Sequence, residues 1–169
     1  PFDYFTKHAG NPIIAMPTAS GKSVVQAEFV RRACQLFPMT RILLATHVQE
    51  LIEQNFRKLK EVWPAAPAGI YSAGLKQRDV GFPITFAGIQ SIAKCAEIFG
   101  RIDLMIIDEC HLVSPNSETT YITVIDTLLK INPAMKVIGL SATPYRLGLG
   151  LLTEAGIFDH ICYDLTSRD

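Results

Sequence analysis

Long hydrophobic runs are missing from this sequence. Hydrophobic residues fill 49% of its 169 positions, yet no stretch reaches the roughly 18 continuous apolar residues of a membrane-spanning helix. The opening residues, Pro1-Phe2-Asp3-Tyr4, lack the basic-then-apolar order of a secretory signal. An intracellular protein is therefore expected, cytoplasmic if its source is bacterial or phage. An initiator Met is also missing, as expected of a piece of a longer chain. Charge of one sign is not in excess, since 16 basic residues balance 16 acidic ones. Proteins that wrap nucleic acid are often basic, so bulk charge gives that partner no support and a local patch would have to serve. Cys34, Cys95, Cys110 and Cys162 form no C-x-x-C pair and no Cys-His ligand spacing. That argues against zinc and leaves free thiols packed as small hydrophobes. No G-x-S-x-G elbow is present, which sets a serine hydrolase aside. Internal repeats and low-complexity tracts are absent too.

What is there is alternation. Short apolar runs read as strands at Ile13–Met16, Arg41–Thr46, Gly69–Ser72, Pro83–Ala87, Ile102–Ile107 and Lys136–Leu140, with one more expected within Phe158–Leu165. Longer amphipathic runs between them read as helices over Gly21–Leu36, Val48–Val62, Ile89–Ile98 and Ser117–Ile131. Ser72–Gly81 reads as a polar loop. The Ile102–Ile107 run is apolar without alternation, as suits a parallel strand covered on both faces. Strands alternating with helices predict an α/β domain of three layers, with a mostly parallel sheet flanked by helices. Ligands of such sheets sit beyond the carboxyl ends of the strands. Chemistry is therefore sought just after Met16, Thr46, Ala87, Ile107 and Leu140.

The first of these ends runs Pro17-Thr18-Ala19-Ser20-Gly21-Lys22-Ser23 and opens a helix. Helix N-termini present backbone N–H groups and a favourable dipole to phosphate. Gly21 lets the backbone approach, Lys22 reaches the β/γ-phosphates, and the Ser23 hydroxyl is of the right type to hold Mg²⁺. The strict phosphate-loop pattern wants Gly where Met16 stands, so on its own this segment also suits an ordinary strand-to-helix turn. The second end runs Ile106-Ile107 into Asp108-Glu109-Cys110-His111. Adjacent carboxylates ending an apolar strand are costly unless a cation is near. Phosphate-bound Mg²⁺ suits Asp108, and Glu109 is placed to orient or deprotonate an attacking water. Either signal alone is common, and the pair predicts nucleotide hydrolysis.

In order and content these segments resemble the DEAD/DEAH helicases of superfamily 2, in the Asp-Glu-Cys-His form. Pro17 to Ser23 is similar to helicase motif I, in which an apolar residue at the Met16 position is usual. Thr46-His47-Val48-Gln49-Glu50-Leu51 looks like motif Ia. Ile84 to Ser91 looks like the next nucleic-acid-contacting segment, and Ser141-Ala142-Thr143-Pro144-Tyr145-Arg146 resembles motif III. The resemblance covers about Ile13 to Arg146 and leans toward the type III restriction and excision-repair branch. It implies a RecA-like phosphate-loop fold over residues 1–169, the first motor domain, with the second RecA-like domain of the same polypeptide outside this chain. The cofactors it implies are ATP and Mg²⁺. The catalytic group is Glu109, Lys22 and Asp108. Pro17, Thr18, Ala19, Ser20, Gly21, Lys22 and Ser23 hold the nucleotide, and Ser23 and Asp108 the metal. His111, Ser141 and Thr143 couple nucleotide state to grip on nucleic acid. Thr46, Gly88, Gln90 and Ser91 meet that partner, DNA rather than RNA, through uncharged backbone contacts. Thr85 reads as a plain strand residue and Arg146 as a surface charge.

Two features depart from the family. Ala19 stands where Gly is usual, and positive φ there would cost roughly 1 kcal/mol or more. The residues before Pro17 hold no Gln to read adenine, so adenine is implied by the family alone. The implied whole is an ATP-dependent helicase or translocase without a membrane partner, expected to be monomeric. A nucleotide-binding switch or a non-helicase phosphate-loop ATPase is the alternative.

Overall fold

Two helices end for the same reason. α1 (Lys22–Leu36) stops at Phe37, which leaves helical geometry (φ −131°) yet donates its N–H to Ala33 O. α2 (Gln49–Val62) stops at Trp63 (φ −140°), whose N–H reaches Leu59 O. Each of these residues precedes a proline, Pro38 or Pro64, and proline's ring pushes its predecessor out of the helical region. Both chains then turn back into strands. The structure is a computed structural model and describes residues 7, 8, 10–17, 21–112, 115–143, 145, 146, 150, 151 and 157–164.

The strands are β1 (Pro12–Ala15), β2 (Ile42–Thr46), β3 (Ala68–Ser72), β4 (Gln77–Arg78), β5 (Ile84–Gly88), β6 (Leu104–Ile107), β7 (Lys136–Ser141), β8 (Tyr145–Arg146), β9 (Gly150–Leu151) and β10 (His160–Asp164). Among the described residues, eight of them form one sheet in the order β10-β1-β7-β6-β2-β5-β3-β4. Every neighbouring pair in it is parallel except β3 with β4. Along each strand the side chains alternate between two cores. Ile13, Leu43, Met105, Ile107 and Val137 face a layer built by α3 (Ile89–Ile92) and α4 (Pro115–Ile131), including Tyr121, Val124 and Leu128. Ile14, Leu44, Ile106 and Ile138 face α1 and α2 through Ala27, Val30, Ile52 and Leu59. Helices on both faces of a mostly parallel sheet make the expected three-layer α/β, RecA-like arrangement. Thr85 is buried in β5, and no helix among the described residues is long and apolar enough to cross a membrane.

Register brings the strand ends level. Ala15 pairs with Ser141, Ile107 with both Gly139 and Ala45, and Thr46 with Gly88. Met16 N–H extends the first of these to Ser141 O at 2.8 Å. The five sought strand ends therefore share one edge, with β7 between β1 and β6.

Three expectations change. The run Ile89–Ile98 is not one helix: α3 ends at Ile92, Cys95 turns away (φ −148°), and a short 3₁₀ turn spans Ala96–Phe99. That break lets Phe99 into the core, edge-on to Tyr71 at 5.3 Å. The Ser72–Gly81 loop contains β4, held as Arg78 donates to Tyr71 Oη (3.0 Å) and Asp79 accepts from Ile70 N–H (2.9 Å). The antiparallel pairing of β8 with β9 was not anticipated.

Candidate nucleotide site and polymer cleft

β6 delivers the acidic pair. Asp108 and Glu109 follow its last residue, and both are buried, with side chains 4% and 11% exposed. Glu109 adopts a left-handed backbone, φ 51°, which costs an L-residue about 1–3 kcal/mol. Surrounding contacts hold it there: its N–H donates to Asp108 Oδ1 at 2.9 Å. The turn closes over Cys110, whose Sγ packs so near Gly139 that a Cβ there would lie 2.9 Å from it and 2.7 Å from Phe158. Glycine at 139 thus admits the turn that aims Glu109.

Lys22 opens α1 and meets the pair. Its Nζ lies 3.2 Å from Asp108 Oδ1 and also contacts Glu109 Oε1. Neither contact has hydrogen-bond geometry, and Nζ is otherwise buried without a directed partner. The lysine is a counter-charge for two acids rather than a fixed donor. Gly21 precedes it at φ 75°, a conformation natural to glycine. No atom stands within 4 Å of where its Cβ would sit, so the requirement is conformational. Pro17 is half-buried at the end of β1, and Ser23 is half-buried in the first turn of α1. Thr18, Ala19 and Ser20 lie outside the described residues.

The three coupling candidates touch one another. Ser141 Oγ donates to Thr143 O and accepts Thr143 N–H at 3.1 Å. Its single proton is thereby used, so it accepts from His111 Nδ1, 2.9 Å away. Nδ1 carries the imidazole proton and faces Glu109 Oε2 at 3.2 Å. Burial holds His111 below its ordinary pKa of 6.5, with Lys22 and His47 adding to that and Asp108 opposing it. The chain of contacts runs Thr143–Ser141–His111–Glu109. The backbone of Arg146 lies in β8.

Thr46, Gly88, Gln90 and Ser91 line a second feature, a cleft of about 280 Å³ at the ends of β2, β3 and β5. His47, Gln49 and the segment Ser72-Ala73-Gly74 complete it. Ser91 Oγ accepts Ala73 N–H at 2.9 Å and so draws that segment in. Thr46 is buried, and its hydroxyl accepts Val48 N–H at 3.2 Å, so part of its polarity goes to starting α2. The lining contains neither lysine nor arginine.

Sequence reasoning missed three contributors. Ser72–Gly74 sits in a stretch read only as the end of a strand and a loop. Tyr121 is fully buried in α4, and its hydroxyl lies 3.4 Å from His47 Nδ1. Burial raises the Tyr121 pKa and lowers that of His47. Asn55 is buried in α2 and donates Nδ2–H to Asp108 Oδ2 at 2.6 Å. The signal for Asn55 was there: an amide on the same helix face as Ile52 and Leu59.

Fold and family match together mark a RecA-like domain of a superfamily 2 helicase. The family described as "Type III restriction enzyme, res subunit" matches residues 3–146, and the chain belongs to it. Among curated proteins it is similar to the Drosophila melanogaster DEAD-box ATP-dependent DNA helicase Fancm, 23% identical over 151 residues, covering 80% of this chain and 10% of Fancm. Among solved structures it is similar to the UvsW helicase of bacteriophage T4, with TM-score 0.67 and 23% identity over 89% of this chain and 53% of that one. It is also similar to the Sulfolobus solfataricus SWI2/SNF2 ATPase core in complex with dsDNA, with TM-score 0.64 and 14% identity over 83% of this chain and 29% of that one. At these identities the solved structures speak for the fold.

Proposed function

We propose that this chain is the ATP-Mg-binding half of an ATP-driven DNA helicase or translocase. The observation that carries the reading is the meeting of Lys22 with Asp108 and Glu109 at the carboxyl edge of the sheet. One buried ammonium faces two buried carboxylates, so the site carries an excess negative charge that a divalent ion would answer. Its donors are hard oxygens, the type Mg²⁺ selects. Asp108 and Ser23 would hold the ion, which neutralises charge on the transferred phosphate. Pro17 to Ser23 would cradle the triphosphate, with Lys22 turned from the acids to the β/γ-phosphates. Freed of Lys22, Glu109 accepts a proton from the attacking water. His111 holds that carboxylate through Nδ1–H, and Ser141 holds His111. Thr46, Gly88, Gln90 and Ser91 grip the polymer backbone in the neighbouring cleft.

DNA is proposed over RNA because Fancm is a DNA helicase and the SWI2/SNF2 core was solved with dsDNA. Translocation needs a second RecA-like domain closing on ATP and opening after hydrolysis. It also supplies an arginine worth ~10³–10⁵ in rate in related systems. Alone, this chain binds ATP weakly and barely turns it over. We place the protein inside the cell, away from membranes, as a monomer.

The test is ATP hydrolysis by the intact protein with duplex DNA, single-stranded DNA and RNA, and Glu109→Gln as control. Stimulation by DNA that Glu109→Gln lowers by about 10²–10⁴ is the expected result. Equal turnover with and without every polymer would remove the motor reading.

A further inference from the structure

We propose that Asn55 is a positioning residue that fixes the Asp108 carboxylate for divalent metal, an inference that rests on the nucleotide-site reading above. Asn55 lies two turns into α2, 7% exposed, on the face that buries Ile52 and Leu59. A side-chain amide buried there is costly unless its bonds are made. Its Nδ2 sits 2.6 Å from Asp108 Oδ2. The opposite amide orientation would set oxygen against carboxylate oxygen, so the donor faces Asp108.

Asp108 is then held on both oxygens. Oδ2 takes Asn55, and Oδ1 takes the Glu109 N–H at 2.9 Å and the Lys22 ammonium at 3.2 Å. Of these partners only Lys22 lacks a directed bond, and it is the one that triphosphate draws away. Asn55 and the Glu109 N–H stay. They keep the carboxylate plane fixed while the Lys22 side of Oδ1 opens to a cation. Partners of this kind orient metal ligands, and their loss typically weakens metal affinity about 10–100-fold.

The test titrates a fluorescent ADP analogue into the intact protein, wild type and Asn55→Ala, with chelator and over a series of Mg²⁺ concentrations. Asn55→Leu, which keeps volume on the apolar face without the donor, answers the same question if Asn55→Ala does not fold. The expected result is unchanged metal-free nucleotide affinity with the Mg²⁺ midpoint raised about 10–100-fold. Equal losses with and without Mg²⁺ would mean a merely structural role and overturn the proposal. So would a wild-type Mg²⁺ midpoint retained in the variant. If wild type itself gains no affinity from Mg²⁺, the nucleotide-site reading falls and this proposal falls with it.

Discussion

The proposed nucleotide site and the proposed polymer cleft share one sheet edge but are built from opposite materials. The first gathers a buried lysine and two buried carboxylates, braced by His111, Ser141 and Asn55. The second presents hydroxyls, amides, a histidine and backbone, without lysine or arginine. A site for a charged, compact ligand gains from preorganised charge in a dry setting. A site that must release and regrip a polymer repeatedly gains from contacts that are individually weak and indifferent to sequence.

The largest way to break this contrast is to remove its cation. Lys22→Ala leaves two buried acids unpaired and should cost about 3–5 kcal/mol of stability, read by urea unfolding without nucleotide. If Asp108→Asn on that background does not recover part of the loss, the two acids were not strained by each other. Next is Ser141→Ala, which removes the hydroxyl that takes the Thr143 N–H and the His111 Nδ1–H. About 0.5–1.5 kcal/mol is expected, together with weaker DNA stimulation of ATP turnover. Full stimulation in that variant would take His111 and Ser141 out of the coupling path.

Gly88→Ala strikes the cleft alone. Its Cβ would meet Ser91 Oγ at 3.2 Å and Ile52 Cδ1 at 3.4 Å, with the backbone at an ordinary φ of −75°. Stability should fall by about 1 kcal/mol or less. DNA affinity, followed by fluorescence anisotropy, should drop several-fold, while unstimulated ATP turnover stays as it was. A loss of basal turnover would show that the two regions are less separate than their chemistry suggests.

The smallest effect is in pH. Burial lowers the His47 pKa from 6.5, so the unfolded chain binds the proton more readily than the folded one. The stability this contributes is complete above the unfolded value and is lost as pH falls toward and through the folded value. Thermal midpoints from about pH 8 to about pH 5 should decline less steeply in His47→Asn than in wild type. An identical slope would mean that His47 is as free to titrate folded as unfolded.

Local chemistry made much of this legible in one dimension. Pro38, Pro64 and Pro133 punctuate the helices, and apolar runs such as Ile102–Ile107 mark buried strands, because proline geometry and hydrophobic burial act on a few residues at a time. Gly21-Lys22-Ser23 and Asp108-Glu109 were legible for the same reason, since phosphate and metal chemistry restrict residue type at fixed offsets. The split after Ile92 was not, because it depends on where the Tyr71 ring waits for Phe99. Neither was the brief pairing of β4, which rests on Arg78 finding Tyr71.

What the sequence by itself determined was the kind of elements, their order and the chemical types at the strand ends. Tertiary structure alone decided which ends stand together. The β1-β7-β6 order sets Ser141 on the strand between those that lead to Lys22 and to Asp108, and the turn over Cys110 brings His111 to both Ser141 and Glu109. The packing of α2 across β2 carries Asn55 to Asp108, 53 residues away in the chain. Such partners are separated by lengths of chain that no local pattern encodes, and only the burial of two apolar sheet faces brings them within hydrogen-bond range.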